Sequence, residues 1–195
     1  MVQSEAQKKA KAKYYAKLRE DPVYREKMAM RQKEYYEKNK EKHLESVKKY
    51  INIKKSDLIL EPSAGNGSFL LNLPIKKIIG IDILPEHESI IEKDFFTYMP
   101  PEDCKNVLVI GNPPFGKVSS LAISFFNHAS KWANVIAFIV PRTFRRTSVQ
   151  NRLNLNFNLI YDEELPTKPC CFKPKMAVKC CFQIWKKNKT KRHVS

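Results

Sequence analysis

Asn112-Pro113-Pro114-Phe115 stands at the end of the apolar run Val107-Leu108-Val109-Ile110-Gly111. A strand of β-branched residues delivers such a loop to the carboxyl edge of a parallel sheet, where open α/β folds bind their ligands. Each proline fixes φ and removes an N–H, so the Asn112 amide and the Pro113 carbonyl face a ligand with little conformational freedom left to lose. Two acceptors on a stiff loop suit an exocyclic amine, and Phe115 adds a flat apolar face beside them. The same residues are also an ordinary way to end a strand and start a turn, so the loop does not decide alone.

Upstream lies a second group. Glu61-Pro62-Ser63-Ala64-Gly65-Asn66-Gly67 follows the run Leu58-Ile59-Leu60 and opens a helical pattern. Its glycines permit a tight turn and close backbone approach, as in a nucleotide-binding loop. Leu70 stands where a dinucleotide loop has its third glycine, and the Lys-Ser/Thr of a phosphate loop is missing, which favours a ligand without a pyrophosphate. Asp82, 15 residues past Gly67 at the tip of the second strand, can accept both hydroxyls of a ribose. Asp94-Phe95, after a third strand, offers an acceptor and a ring for an adenine. Aspartates are equally common as helix caps and turn residues, which leaves both readings open at these two positions.

In this order, the four elements resemble the S-adenosylmethionine-dependent amino-methyltransferases, and most of all the adenine-N6 branch, whose cofactor loop precedes its catalytic loop. The resemblance covers residues 56–140 by motif and 42–186 by element order. It implies a Rossmann-like class I methyltransferase fold with S-adenosylmethionine as cofactor. Glu61 to Gly67 is similar to the turn that cradles the methionine part, Asp82 to the ribose-binding acid, Ile83 to the residue packed on the adenine, and Asp94 with Phe95 to the adenine-contacting pair. Asn112 to Phe115 is similar to the catalytic tetrad, with Asn112 also bordering the cofactor and Phe115 stacking on the target base. The implied reaction moves a methyl group to the N6 amine of adenine in DNA or RNA. The same tetrad occurs in similar families that methylate guanine N2 in ribosomal RNA or a glutamine amide in proteins. A nucleic-acid-binding subunit that keeps the fold without turnover is the reading from a different class.

The elements that must position these residues follow from the pattern. Runs at 58–60, 77–81, 107–110 and 135–140 read as buried parallel strands, with helices near 67–73, 86–92 and 117–132 between them. Two further strands, 156–161 and 177–185, follow without a helix, joined by an excursion carrying Pro and Cys. The fold class expected is therefore α/β, a mostly parallel, doubly wound sheet with an antiparallel last strand. Pro141-Arg142-Thr143-Phe144-Arg145-Arg146, at the end of the fifth strand, reaches the same edge. Arg142, Arg145 and Arg146 are expected to meet a substrate backbone there, unless they are only a solvated helix start.

Composition sets the outer limits. The chain has 195 residues, enough for one core plus an appendage. We divide it into a basic helical arm (1–50), a methyltransferase-like domain (51–186) and a basic tail (187–195). The arm reads as helices over 4–20 and 22–48, restarted at Asp21-Pro22. Net charge is +16, of which residues 1–50 hold +7, 51–185 hold +4 and 186–195 hold +5. Basic ends favour a nucleic-acid partner over an acidic small molecule. The arm's paired tyrosines, Tyr14-Tyr15 and Tyr35-Tyr36, suit base stacking or packing on a protein partner. No run is apolar enough for a membrane span or signal peptide, so a soluble intracellular protein with no membrane partner is expected. Five cysteines, two pairs of them adjacent, fit a reducing compartment better than disulfides, and their spacing does not favour a metal. Eighty residues follow Phe115, most of them consumed by the remaining strands, so no separate target-recognition domain is expected among them.

Overall fold

The computed structural model describes residues 56–67, 70, 78–165 and 179–193, together with the helical Glu45 and Lys49. The arm readings at 4–20 and 22–48, the helix at 67–73 and Cys170-Cys171 lie wholly or mostly outside the described residues.

The β-branched runs form a seven-stranded sheet: β1 (Leu58–Pro62), β2 (Ile78–Asp82), β3 (Ile90–Glu92), β4 (Val107–Gly111), β5 (Val135–Pro141), β6 (Phe157–Glu164) and β7 (Cys180–Lys187). Their order across the sheet is β3-β2-β1-β4-β5-β7-β6. The first five are parallel, with Leu60 opposite Ile79 and Val109. β7 runs antiparallel between β5 and β6, as the two helix-free strands lead one to expect.

Strand residues alternate between two apolar layers. Leu58, Leu60, Val107, Val109, Ile136 and Phe138 join one, while Ile59, Leu108, Ile110, Val135 and Ala137 join the other. Both faces are therefore covered by packing, as a doubly wound sheet requires. The first layer receives α1 (Ser120–Ala129), which buries Ala122, Phe125, Phe126 and Ala129 at helical spacing. Phe126 meets the edges of Phe157 and Trp185 at 5.6 and 5.4 Å between ring centroids. A short α2 (Thr147–Gln150) follows β5.

One element differs from expectation. The helix expected at 86–92 is absent: residues 86–89 turn, and Ile90–Glu92 form β3 against β2. Six or seven residues are too few to stabilise an isolated helix, whereas pairing with β2 buries Ile90 against Gly80, Ile90 being 6% exposed. The helix expected at 117–132 is present, but its α-helical part starts at Ser120, because Val118 and Ser119 adopt left-handed backbone.

Candidate active site

The strand order places the candidate residues. From β1 the chain fills one side of the sheet with β2 and β3, then returns to the other side for β4 and β5. The reversal point lies between β1 and β4, where open α/β sheets hold ligands beyond their strand ends. The Glu61–Gly67 turn leaves β1 and the Asn112–Phe115 loop leaves β4, so the two motifs meet there. They are close-packed: a Cβ on Gly111 would come 3.2 Å from the Pro62 carbonyl oxygen. Asp82 ends β2 and Asp94 lies beyond β3 on one flank, and Arg142 to Arg146 lie beyond β5 on the other.

The turn after β1 is braced from within. Glu61 is buried, and its Oε2 accepts the Leu70 N–H at 2.6 Å. Ala64 donates its N–H to Ile81 at 3.0 Å, and Gly67 donates to Ala64 at 2.7 Å. Gly80 packs closely beneath it: a Cβ there would sit 2.9 Å from Leu70 Cδ1 and 3.2 Å from Ala64 Cβ, so the leucine tip would have to move. Ser63 and Gly65 have φ of 53°, and Gly67 has 76°. A side chain added at Gly65 would meet nothing within 4 Å, so open space faces that backbone. Asn66 is exposed and Pro62 and Ala64 are buried.

Asp82 ties this turn to the chain leaving β2. Its Oδ2 accepts the Gly65 N–H at 2.8 Å and its Oδ1 the Leu84 N–H at 2.9 Å. An ionised carboxylate offers about four acceptor sites, so its orientation is fixed while capacity for two hydroxyls remains. Ile83 beside it is 64% exposed, an apolar surface a flat ring would cover.

Asp94 keeps acceptor capacity at the surface, whereas Phe95 requires a correction. Asp94 caps a short 3-10 turn, its Oδ1 accepting the Phe96 N–H at 2.9 Å. The Phe95 ring is 3% exposed and stacks on Phe125 at 4.9 Å, with His128 edge-on at 4.9 Å. The apolar core claims that ring, so it offers no face to an adenine. Phe96, at 40% exposure, is the ring left at the surface.

The loop after β4 has a different character. Pro113 is buried, Pro114 exposed, and Phe115 packs against both apolar layers. Asn112 Oδ1 is buried yet has no hydrogen-bond partner. Buried acceptors are rarely left so, because an unmade hydrogen bond costs about 1–3 kcal/mol. Asn156 and Asn158 Oδ1 share that state but lie at the start of β6, at the opposite edge of the sheet. Beyond Phe115 the backbone is strained. Gly116, Val118 and Ser119 have φ of 67°, 53° and 61°. Ser119 is buried, and its Oγ lies 2.7 Å from Thr143 Oγ1. Neither Ser119 nor Thr143 carries a sequence signal of its own; Gly116 after the tetrad is the one hint of the bend.

Two of the arginines after β5 have acidic partners within the fold. Arg142 pairs with Glu164 at 3.0 Å, and Arg145 reaches Asp162 at 2.7 Å and Glu164 at 3.2 Å. Burial, the largest single influence, disfavours the Arg145 charge, but Asp162, Cys181 and Glu164 together outweigh it and raise the pKa above the ordinary value. Both cations are thus engaged by β6, and of the three only Arg146 is fully at the surface. In the tail, Arg192 is likewise taken up by the fold: it donates to Phe157 at 3.0 Å and to Gln150 and Leu153, with its guanidinium 5.5 Å from the Trp185 ring.

Cys180 and Cys181 point to opposite layers. Burial, followed by the nearby Asp162, pushes the Cys181 thiol up to about 12. Among the described residues no group of three His, Cys, Asp or Glu is placed to hold a metal ion, and no helix is long and apolar enough to cross a membrane.

The cofactor implied by the resemblance can be tested against these observations. Open space at Gly65, a fixed Asp82 carboxylate with spare acceptor sites, exposed Ile83 and the orphaned Asn112 Oδ1 fit a nucleoside bearing a small charged tail. No protein-family model matches the chain, and no curated protein sequence does either. Solved structures share its fold. A putative RNA methyltransferase from Pyrococcus horikoshii matches with TM-score 0.56 at 16% identity, over 77% of this chain and 83% of that one. The N-methyltransferase NodS from Bradyrhizobium japonicum matches with TM-score 0.52 at 13% identity, over 79% and 97%. Magnesium protoporphyrin IX methyltransferase from Synechocystis, solved with bound S-adenosylmethionine, matches with TM-score 0.50 at 9% identity, over 77% and 80%. The chain has the class I methyltransferase fold.

Proposed function

We propose that this protein is an S-adenosylmethionine-dependent methyltransferase that modifies the exocyclic N6 amine of adenine in DNA or RNA. The observation that carries this reading is the buried, unpartnered Asn112 Oδ1 at the sheet's reversal point, beside a turn whose Gly65 backbone faces open space. The atom is buried as it stands, so a small shift of the loop must open it to a donor, and an aromatic amine is one.

The cofactor, when bound, supplies an electrophilic methyl group on a sulfonium. The residues of this chain do the rest. Glu61 and Asp82 hold the turn after β1, and Asp82 keeps acceptor sites for ribose hydroxyls. Ile83 and Phe96 present apolar surface for the cofactor's adenine. The target amine is a poor nucleophile because its lone pair is delocalised into the ring. Hydrogen bonds from its N–H groups to Asn112 Oδ1 and the Pro113 carbonyl favour a tetrahedral nitrogen and return electron density to it. This is positioning and electrostatic preorganisation; the amine proton is acidic once the nitrogen is alkylated and passes to solvent, so no strong base is needed. Phe115, anchored from behind by both apolar layers, stacks on the base, a contact worth about 1–3 kcal/mol in comparable sites.

Support for a polynucleotide comes from the net charge of +16 and exposed Arg146. Sequence selectivity falls to the N-terminal arm, the excursion after β6, a partner protein or the shape of a structured RNA. The test is incubation with methyl-labelled cofactor and DNA, RNA or protein, then digestion and mass spectrometry. N6-methyladenosine or its deoxy form is expected. Label on guanine N2 or a glutamine amide would overturn the adenine assignment, and cofactor binding without any transfer would overturn the enzyme.

A further inference from the structure

We infer that Val118 is a specificity-determining wedge, an apolar side chain that fills the gap in a base stack when the target adenine leaves its helix for the site. The inference rests on the methyltransferase reading above and concerns which state of the polynucleotide that site accepts.

Val118 combines two costly features. Its backbone is left-handed, φ 53° and ψ 38°, a conformation in which a β-branched residue is a genuine outlier. Its side chain is 75% exposed, close to the most open of the large apolar residues. Packing therefore does not explain the strain, because the side chain gains little from the fold. Strain of this kind persists only where neighbours impose it, and it concentrates at functional sites.

The neighbours impose it from both sides. Gly116 precedes it at φ 67°, where a Cβ would lie 2.7 Å from Leu121 Cβ and 2.9 Å from Leu121 N. Ser119 follows at φ 61°, buried and latched to Thr143 at the end of β5. The Ala122 N–H returns to the Phe115 carbonyl at 3.3 Å, which ties the bend to the residue expected to stack on the target base. The loop thus holds Val118 out from the protein three residues beyond Phe115, on the edge where the substrate arrives. Exposed Lys117 adjoins it and suits a phosphate.

A base within a duplex cannot reach Asn112 unless it is extruded, which costs unstacking and unpairing. Proteins that unstack bases insert an apolar wedge into the step they open. Val118 has the size, the exposure and the rigid presentation for that task. Polar side chains at this position would solve the exposure problem; the chain instead carries a valine in a backbone state that disfavours it.

The test compares the full-length protein with Val118→Gly and Val118→Ala on two synthetic forms of whichever polymer the wild type methylates, one with the target adenine paired and one with it unpaired. Glycine removes the side chain and relieves the backbone, so Val118→Gly should melt no lower than wild type. Both variants should lower the ratio of kcat/KM on paired over unpaired target by about tenfold or more, the scale expected when an unstacking cost is no longer offset. The emission of 2-aminopurine at the target position, which reports extrusion, should fall in parallel. Equal losses on both forms, no loss on either, weakened cofactor binding by calorimetry, or a lower melting temperature for Val118→Gly would each overturn the wedge. A wild type that methylates neither DNA nor RNA would overturn the underlying reading and this inference with it, whereas equal losses overturn this inference alone.

Discussion

The hydroxyls of Ser119 and Thr143 lie 2.7 Å apart, joining the loop that leaves β4 to the turn that leaves β5. Twenty-four residues separate them in sequence, and the contact fixes the far end of the loop whose near end is Asn112. A double-mutant cycle with Ser119→Ala and Thr143→Val should give a coupling of about 1 kcal/mol in stability, the usual net value of such a bond. Each single variant should lower kcat while leaving cofactor affinity in place, measured by calorimetry beside steady-state rates.

Asn112→Ala should abolish detectable methyl transfer with cofactor affinity nearly unchanged. Removing one preorganised group that faces developing charge costs about 100- to 1000-fold in well-studied enzymes. Since Asn112 Oδ1 is buried and unpartnered, its removal should not destabilise the fold, and thermal melting distinguishes a lost contact from a lost structure.

Asp82→Ala removes an acceptor shared by Gly65 and Leu84 as well as the expected ribose ligand. Cofactor affinity should weaken by about tenfold or more, since hydrogen bonds to charged groups contribute about 1.5–3 kcal/mol. Asp82→Asn retains one acceptor oxygen and should lose less, a ranking that titration calorimetry reads directly.

The three arginines after β5 should separate into two behaviours. Arg146→Ala should reduce the salt slope of nucleic-acid binding by about one phosphate contact. Arg145→Ala instead leaves Asp162 and Glu164 without their shared cation, so it should lower the melting temperature. Anisotropy titrations over a range of salt, with melting curves alongside, test both.

Cys181 sets a stability limit at high pH. The folded thiol titrates at about 12 against 9.0 for an ordinary thiol, because burial disfavours the thiolate. A raised pKa means that its contribution is whole below pH 9 and is lost as pH rises toward 12. The slope should approach about 1.4 kcal/mol per pH unit from this group. Denaturant unfolding between pH 8 and 10.5 should show a decline that is shallower in Cys181→Ala.

The β-branched runs made the strands legible, and the glycine turn and Asn-Pro-Pro-Phe made their useful ends legible, because both signals are local. What escaped was set by partners distant in sequence. Phe95 reads as a ligand ring until α1 brings Phe125 and His128 onto it. Arg142 and Arg145 read as open cations until the β6–β7 pairing brings Asp162 and Glu164 to the same edge. The stretch 86–92 reads as helical because its short apolar pattern fits either period, and pairing with β2 decides it. The left-handed state of Val118 has no counterpart in residue type, since valine is among the last residues expected there.

The position of β7 bears on how the protein is made. β6 reaches the sheet only through β7, which pairs with β5 on its other side, so the sheet closes in an order opposite to synthesis. Until Cys180–Lys187 has left the ribosome, β5 carries a bare apolar edge and the arginines beyond it lack their acidic partners. Growing chains are thus open to strand-edge association until β7 emerges, and a chain cut before Cys180 should be an aggregating one.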